Sequence, residues 1–227
     1  MRGYDETKPV RIWVGSYGLY NDGYLAGDWF SLPMDRDELW KGINDACHVT
    51  PFNEEVGCFD YECDIHGVRQ HMSEYMSIDG VNALAAALES MDSRMDEGFE
   101  MWLDTQVNLS MLEIASAAID ADNIPYYGYY FDGYGVENIW GYVSGDTMSN
   151  EEKYGRTLAD AFGITSKLEE MGVEDYFDYK DYGSSHFDVD LGDYGYLDTN
   201  GNQPRTDLYD NALELLEDTG YYTPTES

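Results

Sequence analysis

Four side chains of the kind that hold zinc, Cys58, Cys63, His66 and His71, fall within one short stretch, and such a thiolate and imidazole set could bind a structural or catalytic metal. The interval between the two cysteines lies at the edge of common structural spacings, and both fall on a segment that alternates like a strand. The favoured reading is therefore two strand cysteines and two surface histidines. Asp188-Val189-Asp190-Leu191-Gly192-Asp193 begins like a calcium loop, but glycine and aspartate are transposed relative to the EF-hand order and no glutamate closes it. Asp198-Thr199-Asn200-Gly201-Asn202 is no closer, so both read as turns. Carboxylate pairs able to do acid and base work occur throughout, yet a chain this acidic produces them by chance. It has no glycine-rich phosphate loop, no nucleophile elbow and no paired-histidine zinc helix. No metal or cofactor is implied, and the chain does not read as an enzyme.

What the residues supply in quantity is negative charge. The 227 residues carry 46 Asp plus Glu against 12 Lys plus Arg, a formal net charge of -34. Strongly acidic chains with few aromatics stay disordered, but here aromatics reach 15% and hydrophobic residues 43%, enough to bury area against the self-repulsion. The charge costs stability and so calls for a purpose. It argues against nucleic acid or an anionic membrane surface as direct partners, since both are polyanions; the partner should be basic. No apolar run is long enough to span a bilayer, residues 1–6 lack the regions of a signal peptide, and an odd set of cysteines fits a reduced cytoplasm.

Carboxylates alternate with tyrosines and apolar residues most densely from Glu174 to Asp198, with Lys180 the only full positive charge there. Each tyrosine can bury its ring while its phenol reaches a wet, charged rim. Solvation alone, as in proteins adapted to high salt, would account for an acidic surface without asking for a shape. Imitation of a polyanion does ask for one: at one charge per roughly 1.7 Å of duplex, the net charge corresponds to roughly 58 Å of DNA, about 17 base pairs. A compact globule of this length has a radius of gyration of only about 17 Å, so such a display requires an elongated molecule. Carboxylates four apart on a helix lie about 6 Å apart along its axis and those two apart on a strand about 6.7 Å, so Asp175 with Asp178, or Asp188 with Asp190, could form rows.

The elements that would position these groups follow from the pattern. Residues 11–15 and 27–32 read as strands, separated by a Gly-, Asn- and Asp-rich segment over 16–23, and 55–62 as a third strand. Asp35 caps a helix through about Ala46, with Leu39, Ile43 and Ala46 on one face. Ser77 opens a helical section in which Val81, Leu84, Leu88 and Met91, then Phe99 and Leu103, then Leu112, Ala115 and Ile119 recur at helical spacing; Ser110 and Glu113 form a capping box, and the three helices could bundle. Residues 126–131 and 136–143 read as strand and loop. A second capping box, Ser149 with Glu152, starts a helix ended by Gly163, and a short helix over 165–171 ends at Gly172. Residues 174–182 read as helical, 187–191 and 194–197 as a hairpin about Gly192-Asp193, and 207–218 as a last helix with Leu208, Ala212, Leu215 and Leu216 inward.

Arg11-Ile12-Trp13-Val14-Gly15-Ser16 followed by Tyr20-Asn21-Asp22-Gly23-Tyr24-Leu25-Ala26-Gly27-Asp28-Trp29 resembles the opening of the ArdA antirestriction proteins. Phe59-Asp60-Tyr61-Glu62 is similar to that family's His-Asp-Tyr-Glu segment, and Glu74-Tyr75-Met76-Ser77-Ile78 to the approach to its middle domain. Tyr176-Phe177-Asp178-Tyr179-Lys180-Asp181-Tyr182-Gly183 resembles its Tyr-x-Asp-Tyr-x-x-Tyr-Gly motif. Order and intervals agree over residues 11–91 and 149–198; the stretch between and the part after Asp198 look like additions. Ser184-Ser185 stands where the family usually has Arg-Asp. The resemblance implies a cytoplasmic, dimeric DNA mimic, often encoded on mobile elements, that occupies the DNA groove of type I restriction-modification enzymes.

The expectation is thus an α+β protein, an elongated chain of small domains with short antiparallel sheets, packed helices and a helical middle section: 1–75 with a three-stranded sheet and helix, 76–123 helical, and 124–227 α+β with an extra Tyr-rich region and last helix. The carboxylates expected to replace phosphates are Asp28, Asp37, Glu38, Asp60, Glu62, Asp175, Asp178, Asp181, Asp188 and Asp190, and the expected partner is the methyltransferase core of a type I restriction-modification enzyme, with no direct nucleic-acid or membrane binding. The rivals are an acidic halophilic or metal-dependent protein and a mimic aimed at another basic DNA-binding protein. Under the metal-dependent reading, added Ca²⁺ or Zn²⁺ raises the thermal midpoint well beyond what equal ionic strength achieves; under the mimic reading it does not.

Overall fold

The computed structural model describes residues 4–131, 148–186 and 188–224. In chain order its elements are β1 (Val10–Ser16), α1 (Tyr17–Asn21), β2 (Gly27–Leu32), α2 (Arg36–Ala46), β3 (Val56–Cys63), α3 (His66–Arg69), α4 (Ile78–Ser90), α5 (Asp96–Asp104), α6 (Met111–Ile119), β4 (Tyr126–Gly128), α7 (Asn150–Ala161), α8 (Ile164–Met171), α9 (Tyr179–Ser184), β5 (Val189–Leu191), β6 (Gly195–Asp198) and α10 (Ala212–Asp218). Helices and two short three-stranded antiparallel sheets make this an α+β protein. Two compact units result. One comprises the chain up to Met91, Gln106–Ala121 and the segment from Pro204 onward; the other comprises Asp92–Thr105 and Asp122–Gln203.

The first unit is organised on the sheet β2-β1-β3, with β1 central and antiparallel to both neighbours. Val10, Ile12 and Val14 alternate onto one face and are buried with Phe30, Leu32 and Cys58, because side chains two apart on a strand share a face. The Leu39 and Ile43 side of α2 completes this layer. Asp35 caps that helix, its carboxylate accepting from Asp37 and Glu38 N–H at 3.0 Å, which satisfies two of the donors a helix start leaves open. Helix α4 is buried along most of its length and packs on α6. Inside it Asn82 accepts from Met34 N–H at 2.9 Å and donates to Met34 O at 2.8 Å, tying α4 to the approach to α2. Leu215 and Leu216 of α10 are fully buried, α10 packs on α4, and Arg36 N–H donates to Tyr221 O at 2.8 Å, so the C-terminal segment is sewn into this unit.

The other face of that sheet carries a row of glycines in register, Gly27, Gly15 and Gly57. A Cβ on Gly15 would stand 2.3 Å from the Trp13 ring, and one on Gly57 2.5 Å from the Tyr17 phenol. Absent side chains here make room for rings lying across the strands.

In the second unit the sheet is β4-β6-β5. Tyr129, Phe131 and Tyr154 form its core, with Val189, Leu191 and Tyr196 packed against them. Phe99 and Trp102 of α5 stack at 5.9 Å, and Trp102 Nε1 donates to Gln203 at 2.7 Å. Helices α7 and α9 meet backbone to backbone: a Cβ on Gly155 would fall 1.9 Å from Tyr179 O, and one on Gly183 2.0 Å from Glu151 O.

Several local expectations change. The segment after β1 is not all loop, because Ser16 Oγ accepts from Leu19 N–H at 3.2 Å and caps the short α1, which Gly23 at φ +86° follows. Residues 174–182 do not form one helix. A 3-10 turn at Glu174–Tyr176 is followed by extended Phe177, whose ring packs on Tyr179 and Tyr182, and Asp178 starts α9 anew by accepting from Asp181 N–H at 2.9 Å. Glu152 does not complete a capping box with Ser149: Ser149 Oγ accepts from Glu152 N–H, while the Glu152 carboxylate turns to Arg156 one turn on. The last helix begins at Ala212 rather than Asp207, because the Asn211 side chain accepts from Leu213 and Glu214 N–H at 3.1 Å and fixes the start there. Of the Tyr-rich stretch, Tyr126–Gly128 form β4; 136–143 lie outside the described residues.

The α7–α9 crossing gives a sharp test. Gly183→Ala forces a methyl into a carbonyl that cannot retreat without separating two helices, and overpacking of this kind costs at least about 1–3 kcal/mol. The denaturation midpoint should fall accordingly, while Ser184→Ala, one residue on and exposed, should stay within about 0.5 kcal/mol.

Candidate partner-binding surface

Asp175, Asp178 and Asp181 are all exposed, but the break at Phe177 puts Asp175 on the 3-10 turn and the other two at the start of α9. A single helical row through Asp175 and Asp178 is therefore not formed. Below this segment Tyr179 is buried, with the Arg156 guanidinium 4.3 Å from its ring centroid and Glu152 at 3.0 Å from Arg156. An aromatic ring and a carboxylate thus hold a guanidinium between them, a pairing in which both attractions act on one cation. Asp190 is exposed on β5 between the half-buried Val189 and Leu191. Asp188, also exposed, lies on the bend just before β5, and its backbone carbonyl accepts from Thr199 N–H at 3.1 Å.

The first unit holds the remaining candidates in three places. Asp37 and Glu38 are exposed in the first turn of α2, where negative charge also favours the helix. Asp60 and Glu62 lie on the edge strand β3 opposite Trp13 and Arg11, on the face carrying the glycine row. Asp28 pairs with Val14 on β2, which points it to the opposite face, so it does not join them.

Glu62 differs in kind from Asp60. Arg11 is buried and its fork is fully engaged, Nε to Glu62 at 3.0 Å, Nη2 to Asp64 at 2.5 Å and Nη1 to Lys8 O at 2.5 Å. Tyr4 also donates to Glu62 at 2.6 Å, and this hydrogen bond, followed by Arg11, holds the Glu62 carboxyl below the usual range. Glu62 is therefore spent on holding the fold. Asp60 accepts from the neighbouring Tyr61 N–H at 2.8 Å and, being exposed, keeps its charge outward.

The same sorting applies elsewhere. Asp79 takes Arg36 at 3.2 Å and Trp40 Nε1 at 2.7 Å; Glu89 takes Lys8 at 2.6 Å and the Tyr221 phenol. Glu97 accepts from Asp193 N–H at 2.5 Å, Tyr194 N–H at 3.0 Å and the Tyr126 phenol. The phenols are pushed the other way: burial first, then the partner carboxylate, raises Tyr209 beside Asp218 and Tyr221 beside Glu89 to about 12, so both remain donors at any physiological pH. Exposed acids that spacing did not single out include Asp22, Glu54 and Glu55. Their signal was their setting in Gly- and Asn-bearing turns, which places side chains in solvent.

For the metal-type residues, Cys58 is buried on the α2 face of β3 and burial pushes its thiol up to about 12, against the thiolate a metal needs. Among the described residues no three of His, Cys, Asp and Glu stand together so as to hold a metal ion. Among them, too, no helix is long and apolar enough to cross a membrane.

The chain matches the family model described as antirestriction protein (ArdA) over residues 12–199. The comparison with curated proteins gives no match. The matched span takes in the second sheet, the first sheet from Ile12 onward and the Asp178-to-Gly183 segment, and it stops short of α10.

Glu62→Gln separates the structural acid from the exposed ones. Since its folded pKa is lowered, its charge contributes stability above the ordinary value of 4.5 and loses that contribution as pH falls through the lower folded value. The gap in thermal midpoint between the native chain and the variant should be full at neutral pH and close below about pH 4.5, whereas Asp60→Asn should open no comparable gap.

Proposed function

Because the chain belongs to the ArdA antirestriction family, we propose that it inhibits type I restriction-modification enzymes by standing in for duplex DNA in the DNA-binding cleft of their methyltransferase core. The observation that carries this reading is the way its exposed acids are held. Asp60 and Asp178 accept bonds from backbone N–H groups nearby in their own chain, which fix a carboxylate's direction without cancelling its charge. Asp188 and Asp190 are exposed at and just before the edge strand β5, where a two-residue step along a strand, about 6.7 Å, is of the same order as the phosphate spacing of one DNA strand.

On this reading the protein performs no chemistry. Carboxylates displace the counterions and water that otherwise cover a basic cleft, and the summed field of a net charge of -34 steers the encounter. Asp28, Asp37, Glu38, Asp60, Asp175, Asp178, Asp181, Asp188 and Asp190 contribute in this way, Glu62 mainly by securing the strand that carries Asp60. On the same reading the protein acts in the cytoplasm as a dimer.

The test is inhibition of a purified type I methyltransferase by the purified protein, with added duplex DNA relieving it and affinity falling steeply as salt rises. Each Asp→Asn change alone should weaken inhibition only slightly, because a field summed over many charges has no indispensable member. Replacing Asp175, Asp178, Asp181, Asp188 and Asp190 together should reduce inhibition strongly and flatten its salt dependence. Loss of inhibition from one such change in a folded protein, or indifference to duplex DNA, would sink the reading.

A further inference from the structure

The end of the first unit's sheet where β1 gives way to α1 carries an apolar surface that charge alone does not explain. Tyr24 is 68% exposed, Leu25 74% and Phe52 100%. They sit on two loops, residues 22–26 and 47–55, that flank this end of the strand. Ser16 N–H donates to Ala26 O at 3.1 Å and Tyr17 N–H to Glu55 O at 3.1 Å, so both loops hang from the same strand end. Asn53 ties the second loop to the start of α1: Ser16 Oγ donates to its side-chain oxygen at 2.7 Å, its amide donates to Cys47 O at 3.5 Å, and a Cβ on Gly18 would lie 2.2 Å from that oxygen. Gly18 thus makes room for that loop to close on α1. Beneath them Tyr17 and Tyr20 lean on Phe59 at 5.0 and 5.4 Å, which makes the base of the tip a packed aromatic cluster.

Large apolar side chains held outward on a braced support, rather than folded onto the sheet below, are the signature of a contact surface. The acids around them choose the partner. Asp22, Glu54 and Glu55 are exposed in the same two loops, and neither loop carries lysine or arginine. Nucleic acid and anionic lipid would be repelled by this rim, and so would a second copy of the same tip. A basic protein surface with apolar sockets between its cations would not.

We infer that the Tyr24, Leu25 and Phe52 tip is an anchor that docks into an apolar socket on the basic protein partner, beside the carboxylates that match its charge. This rests on the inhibitory reading above and adds to it a contact that salt does not screen. Aromatic and aliphatic anchors in a desolvated socket carry a large share of binding at protein interfaces. They would fix the register of a polyanion that could otherwise slide along a basic groove.

The experiment measures the dissociation constant for the purified type I methyltransferase at several salt concentrations. Tyr24→Ala/Leu25→Ser/Phe52→Ser should weaken binding about tenfold or more at every salt concentration with the slope against salt unchanged, whereas the five-residue Asn variant should flatten the slope. Phe52→Ser alone, whose ring is fully exposed, repeats the test should the triple variant lose its thermal midpoint, with a weakening of several-fold expected. Equal affinity of a folded variant and the native chain overturns the anchor while leaving the inhibitory reading in place. A drop in the protein's own oligomeric mass with unchanged affinity assigns the tip to a second copy and overturns it too. Failure of the native chain to bind the methyltransferase removes both.

Discussion

A chain with 46 acids and 12 bases cannot stabilise itself by pairing opposite charges, and this shortage of cations governs how the rest is built. The few that exist are placed with economy. Arg11 engages two carboxylates and a carbonyl, Arg36 holds Asp79 while lying 5.5 Å from the Tyr222 ring, and Arg156 bridges Glu152 and Tyr179. Other carboxylates are satisfied by donors that carry no charge. Phenols serve Asp218 and Glu97, and backbone N–H groups serve Asp5, Asp35, Asp178 and Glu97. A neutral donor fixes a carboxylate in place and leaves its charge intact, so the protein gains order without losing its field. That is also why tyrosine, rather than phenylalanine, is the prevailing aromatic.

Close backbone approach is the second device. The glycine row under Trp13 and Tyr17 and the Gly155 and Gly183 crossing let rings and helices come nearer than any side chain would permit. Each replaces attraction between charges by contact between surfaces, which remains available to a polyanion because dispersion and apolar burial do not depend on net charge. The motif glycine at Gly183 thus has a mechanical reason beside its place in the family pattern, and the aspartate at Asp178 has one as the cap of α9.

The antirestriction family and the exposed acids join at this point. The proposed inhibition of a DNA-binding enzyme would draw on charge that the fold itself does not consume; Glu62 is engaged by Arg11, whereas Asp60, on the same strand face, is directed outward.

Local chemistry was legible in the residues themselves. The sign of the charge, the folded state, the caps at Asp35, Ser77 and Ser110, the stops at Gly163 and Gly172, the hairpin about Gly192-Asp193 and the family motifs depend on neighbours within a few positions, and the structure keeps them. The break at Phe177 and the late start of α10 were missed because competing caps at Asp178 and Asn211 each captured nearby N–H groups that periodicity alone assigned to a continuous helix. Long-range choices were beyond reach. Arg11 finds Glu62 and Lys8 finds Glu89 across intervals that no spacing rule covers, and the chain re-enters its first unit at Gln106 and again at Pro204. Which acids are spent and which remain for a partner is decided by those meetings, since a carboxylate looks the same in sequence whether or not the fold later brings a cation to it.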